Sequence, residues 1–172
     1  MKNLMLQLSR ILAVCVLLVS QSFDVRAEEE TLSQAQLDQM LAPVALYPDT
    51  VLTHVLIAST YPLEVVQAAR WVKDNPKLTG EAAVDAVEQQ SWDPSVKALV
   101  AFPQLLERLS NDLDWTQELG EAFLADEAQV MASIQNLRQK AYANGSLNDT
   151  KHVVVERERE IIIIEPARKE RV

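Results

Sequence analysis

The chain has 172 residues, with one cysteine, three glycines and a formal charge of −9 at pH 7. The acid excess is uneven: residues 28–150 carry 7 Lys/Arg against 19 Asp/Glu, a formal charge of −12, while residues 151–172 carry 6 against 5, or +1. A body this acidic repels phosphate backbones and anionic headgroups, and no basic stripe interleaved with aromatics offsets it, so nucleic acid is not expected as a partner.

The first 27 residues read as a signal peptide. Lys2 and Arg10 supply a positive start, and "ILAVCVLLV" (Ile11–Val19) is an unbroken apolar run. A polar stretch then leads to Val25-Arg26-Ala27, which places cleavage after Ala27. The apolar run falls well short of the ~20 residues a membrane span needs. A retained N-terminal anchor is the alternative, whereas Val14 before Cys15 argues against a lipoprotein. Cleavage removes the only cysteine, so no disulfide, thiolate nucleophile or thiolate ligand is expected, and no stable membrane insertion afterwards.

The rest of the chain suffices for one domain of ordinary size. Scarce glycine with abundant Ala, Leu, Gln and Glu predicts a mainly α fold of five or six helices over residues 28–150. In the first, Leu37, Met40, Leu41, Val44 and Ala45 recur at spacings of three and four, Ser33 and Gln36 are spaced as a capping box, and Pro43 kinks or ends the helix. A second helix is predicted from Pro48 to about Ser59, a third from Pro62 to about Lys73, and a fourth from Thr79 or Glu81 to about Gln89. A fifth begins at Pro94, breaks near Pro103 and resumes through "QLLERL". The longest stretch, from Leu113, carries Leu119, Phe123, Val130, Ile134, Leu137 and Ala141 along one side, with Gly120 as its expected bend or division. Asn144-Gly145 supplies a left-handed stop. The charged, β-rich tail 151–172 then contributes "HVVVERERE" and "IIIIEP", two strands of a short hairpin or one extended segment.

An aromatic residue precedes each of three prolines, at Tyr47-Pro48, Tyr61-Pro62 and Phe102-Pro103, and Trp92-Asp93-Pro94 follows the same grammar. Aspartate before proline suits a helix N-terminus, because the carboxylate accepts from orphan backbone N–H groups and proline at the first position loses no useful donor. These residues are read as structural helix starts rather than ligand clamps, with Trp92 folding back near Ala98 as a hydrophobic staple.

Chemistry-bearing groups are few. His54 is the one histidine of the helical body, with Asp49 and Glu64 as conceivable carboxylate partners for general-base work. His152 lies in the tail. No HxxxH, CxxC or DxDxDG spacing gathers metal ligands, and no GxSxG elbow or phosphate-cradling glycine loop is present. No metal or cofactor is therefore expected. The "ERERE" run reads as charges on faces open to water. Ile161–Ile164 is a strand that must be covered, either by its own domain or by strand addition to a partner.

The segments "LAPVALYPDTVLTHVLIASTYPLEVVQAARWV" and "WDPSVKALVAFPQLLERLSNDLDWTQELGEAFLADEAQVMASIQNLRQKA", with "IIIIEPA", resemble a bacterial envelope family catalogued as domain of unknown function 3300, from about Leu37 to Ala167. The resemblance implies a secreted protein of Gram-negative bacteria, located in the periplasm or cell envelope, with a helical domain followed by extended structure. It implies no reaction and no functional residues. Members usually continue past "IEPA" into a further Val-, Tyr- and Pro-rich segment, whereas this chain runs into "RKERV" and looks like a shortened member. The expected role is a non-enzymatic binding or structural module that engages an envelope protein, with 151–172 as the candidate contact. The alternative is a periplasmic hydrolase or small-ligand binder using His54 with Asp49 or Glu64.

Overall fold

The computed structural model describes residues 32–167, which fall in one compact unit. The signal segment and the cleavage after Ala27 lie outside the described residues. Eight helices and a two-stranded hairpin make up the described chain: α1 Gln34–Leu41, α2 Asp49–Ala58, α3 Pro62–Asp74, α4 Glu81–Ala86, α5 Pro94–Leu99, α6 Pro103–Asn111, α7 Leu113–Ala125, α8 Glu127–Ala143, β1 Val153–Glu158 and β2 Ile161–Pro166. The mainly α class with a terminal hairpin is therefore the observed fold. None of these helices is long and apolar enough to cross a membrane.

Helix α1 opens on the capping box that its sequence spells. Gln36 N–H donates to Ser33 Oγ, and Ser33 N–H donates back to the Gln36 side chain at 3.0 Å. It ends at Leu41, before Pro43, and a run of turns carries Val44 and Ala45 into the core. Helix α2 is apolar on most of its circumference: Val51, Leu52, Val55, Leu56 and Ala58 are all buried. It packs against α3, α5, α7 and β2, which is why so little of its surface is polar. Helices α3 and α6 lie against each other, as do α1 and α8.

Helix divisions differ from the sequence expectation in two places. The fourth helix stops at Ala86 rather than Gln89, and its last residues continue only as turns. The fifth counts as two separate helices: the expected break is present, with Pro103 as the first residue of α6. The long stretch is divided at Asp126, not at Gly120. Asp126 closes α7 and caps α8, accepting Gln129 N–H at 2.9 Å, and Asp112 does the same one helix earlier for Trp115 N–H. A short carboxylate can satisfy an orphan amide at a one-residue joint, so the chain turns there. Gly120 stays helical for another reason: a Cβ on it would lie 2.4 Å from the Ser59 carbonyl oxygen. Glycine lets α7 approach the backbone at the end of α2.

Helix α8 stops at Asn144-Gly145 as its sequence indicates. Gly145 takes φ +70°, and Ser146 N–H reaches back to Ala141 O at 2.8 Å. The strands are antiparallel, in a register running from Val153↔Pro166 to Glu158↔Ile161. The "ERERE" run thus spans the end of β1 and the turn, where Arg159 adopts φ +57°. Ile162 and Ile164 are buried with Leu147, and Val153, Val155 and Ala141 pack against them.

Candidate functional site

Asp49 and Glu64, the two carboxylates nearest His54 in sequence, have other partners. Asp49 forms an ion pair with Arg138 of α8. Glu64 accepts the Asp93 backbone N–H at 2.6 Å, which ties the start of α3 to the start of α5. His54 is half-buried on α2, and no side-chain hydrogen bond joins it to either carboxylate among the described residues. Among the described residues there is also no cluster of three metal-ligating side chains.

The aromatic-proline pairs stand where helices begin. Pro48 caps α2 directly after Tyr47. Tyr61 and Phe102 are the capping residues of α3 and α6, whose first residues are Pro62 and Pro103. Asp93 caps α5 and accepts from Ser95 N–H at 2.8 Å and Ser95 Oγ at 2.6 Å, with Pro94 following. Trp92 is buried, and its indole N–H donates to Gln67 of α3 at 2.9 Å. Its polar contact is thus with another helix, beyond the local staple that the sequence suggests.

Among the described residues, the one charged side chain that is buried is one that sequence reasoning passed over. Arg138 is 1% exposed and lies among Ser133, Ile134 and Ala141 on the inner side of α8. Its Nε donates to Ala45 O at 2.8 Å, and one terminal nitrogen donates to Tyr47 O at 3.0 Å. The other donates to Asp49 and to Ile162 O at 3.0 Å. A planar fork with fixed N–H directions can serve the α1–α2 turn, the start of α2 and strand β2 at once. The signal was available in the sequence: an arginine four residues after Ile134, on the apolar side of its own helix.

Two glutamines of α8 complete the attachment. Gln135 behaves as a stand-in for a neighbouring strand: its amide donates to Ile162 O at 3.2 Å and accepts from Ile162 N–H at 2.9 Å. Gln139 donates to Glu160 O at 2.7 Å. On the other edge, Thr150 exchanges bonds with Val153, and Asp149 accepts Val155 N–H at 2.8 Å. Exposed strand edges invite pairing with other chains. At these positions an added strand would have to displace an existing bond.

The hairpin's outer face is different. Val154, Glu156 and Glu158 on β1 alternate with the residues of the inner face, as do Ile161, Ile163 and Glu165 on β2. The register sets Val154 opposite Glu165, Ile163 opposite Glu156, and Ile161 opposite Glu158. Every apolar side chain of this face therefore has a carboxylate across from it. Ile161 is 55% exposed and Val154 37%. On the inner face, the Arg157 guanidinium stacks over the Tyr142 ring of α8 at 5.6 Å.

One further polar cluster joins α1 to α8. Asp38 accepts from Ser133 Oγ at 2.5 Å, Gln34 Nε2 at 2.6 Å and Lys140 Nζ at 2.9 Å. The Ser133 hydroxyl and then Lys140 lower its pKa from the usual 3.8 to about 2, outweighing the opposing effect of partial burial.

The family model described as "Protein of unknown function (DUF3300)" matches residues 33–172. Uncharacterized protein YacH of Escherichia coli (strain K12) is 55% identical over 118 residues, which cover 69% of this chain and 19% of that protein. The chain thus spans about a fifth of the length of that relative. No solved structure matches.

Proposed function

This chain belongs to the DUF3300 family, and we propose that it is an exported, non-enzymatic interaction module of the bacterial envelope whose hairpin presents the contact face. The observation that carries this reading is the outer face of the hairpin, where three apolar side chains alternate with three glutamates on a scaffold held along its β2 edge by Arg138, Gln135 and Gln139. Rigid attachment suits recognition, because a pre-positioned face loses less conformational freedom on binding. The face fits a protein segment in which lysine or arginine alternates with apolar residues. Export rests on the apolar run Ile11–Val19 and the Val25-Arg26-Ala27 boundary.

Photo-crosslinkers placed at Val154 and Ile161 test the reading in cells that express the full chain. Capture of one reproducible envelope protein is expected, with capture lost when Glu156 and Glu158 are both changed to Lys. Equal capture by that charge-reversed variant, or none from either position, would reject the hairpin face. The export half is checked separately by the N-terminus of the protein recovered from cells, which should begin at Glu28.

A further inference from the structure

A cavity of about 570 Å³ lies between α3 and α6, closed at one end by the loop after α3. Its wall includes Val72 and Leu78, with Arg70 and Lys73 on the α3 side and Glu107 and Ser110 on the α6 side. The volume falls within the ordinary range for small-ligand pockets, roughly 300–1,000 Å³.

Its charge sets it apart from the rest of the helical body. Of the 7 Lys/Arg in residues 28–150, Arg138 and Lys140 form the two ion pairs found among the described residues. Lys97 donates to Glu88 O at 2.9 Å. Arg70 and Lys73, one turn apart on α3, belong to neither ion pair and both border this cavity with a single carboxylate, Glu107. A second cavity, of about 520 Å³ between α1, α6 and α7, has the reverse balance: Arg108 against Asp112 and Glu118. A domain with a large acid excess thus sets two cations beside a partly apolar recess.

We propose that the α3–α6 cavity binds a small amphipathic carboxylate, its head between Arg70 and Lys73 and its apolar body against Val72 and Leu78. Arginine offers a carboxylate two parallel N–H donors, and lysine adds a point charge from the next turn. Ser110 supplies a hydroxyl on the opposite wall. The carboxylate of Glu107 disfavours dianionic heads, which makes a singly charged carboxylate the better match than a phosphate monoester. The site is separate from the hairpin face and does not depend on it.

Octanoate is the probe, titrated into the isolated protein and followed by amide chemical shifts. Saturable binding is expected, with shifts centred on residues 69–79 and 103–111. Octylamine, with the same tail and opposite charge, should not bind there, and acetate should bind far more weakly. Arg70→Gln and Lys73→Gln should each weaken octanoate by about two- to fivefold, in line with exposed charge pairs, and the double variant should weaken it further. Both side chains are exposed, so the variants should keep the wild-type spectrum elsewhere. Octyl phosphate binding more tightly than octanoate would overturn the choice of head group. Absence of saturable shifts, equal binding by octylamine, or octanoate affinity unchanged in the double variant would overturn the site.

Discussion

The helical body and the hairpin are held by different forces. The body buries a continuous cluster running from Leu37 through Val55, Leu99 and Leu106 to Ile134, with contributions from all eight helices and the turns between them. The cluster beneath the hairpin has three buried side chains, Leu147, Ile162 and Ile164, and the strands supply only two of them. Two strands alone are marginal in water. Here the deficit is met by directed hydrogen bonds from α8, with Gln135 occupying both polar groups of Ile162 and Arg138 sharing its carbonyl. The contrast teaches that a short β element can be fixed to a helical domain without a third strand, provided that a neighbouring helix offers side-chain amides and a guanidinium at the right positions.

Removing the guanidinium is the strongest way to break that arrangement. Arg138→Met should cost about 2–5 kcal/mol, since the carbonyls of Ala45 and Tyr47 lose their side-chain donor and Ile162 O is left with Gln135 alone. Urea unfolding measures the loss, and β2 amides should show it first by faster hydrogen exchange. Arg138→Lys should recover only part, because an ammonium cannot reproduce the fork.

The matching disturbance of the body is Gly120→Ala. Helix propensity alone would favour alanine by about 1 kcal/mol. A Cβ 2.4 Å from Ser59 O forces α7 and the end of α2 apart, so a net loss of about 1–3 kcal/mol is expected in thermal unfolding. A neutral or stabilising outcome would mean that this contact has slack.

A smaller effect separates the α1–α8 seam from both regions. The folded pKa of Asp38 lies below its ordinary 3.8, at about 2. Its contribution is therefore fully present above about pH 4 and is lost as pH falls toward 2. Urea midpoints measured across that window should decline less steeply for Asp38→Asn than for the unaltered protein. Equal slopes would show that the Ser133 and Lys140 contacts do not favour the ionised form.

The smallest change sharpens the hairpin itself. Arg159 holds φ +57° in the turn, a conformation that favours glycine. Arg159→Gly should stabilise the protein by up to about 1 kcal/mol, seen as a slightly higher melting temperature. Its backbone carbonyl would still accept the Arg157 Nε bond.

Much of this architecture was legible without coordinates. Ser33 with Gln36, Asp93 with Pro94, and Asn144 with Gly145 all act over three residues or fewer, so their roles follow from local backbone geometry. The Asp126 joint was legible too, since Asp126 and Gln129 have capping-box spacing, but Gly120 offered the more conspicuous break. Glycine in a helix can mean flexibility or close approach, and only the position of Ser59 distinguishes the two.

The sequence by itself determined most helix starts, the stop at Asn144-Gly145, and that the body is acidic. These properties depend on neighbours along the chain and on composition. Tertiary structure alone decided that Asp49 answers Arg138, that Glu64 caps the Asp93 amide, and that Gln135 closes the edge of β2. Each of those choices joins residues 27 or more positions apart. A polar group leaving water takes whichever partner the packed core brings within hydrogen-bond reach, and sequence proximity does not set that distance.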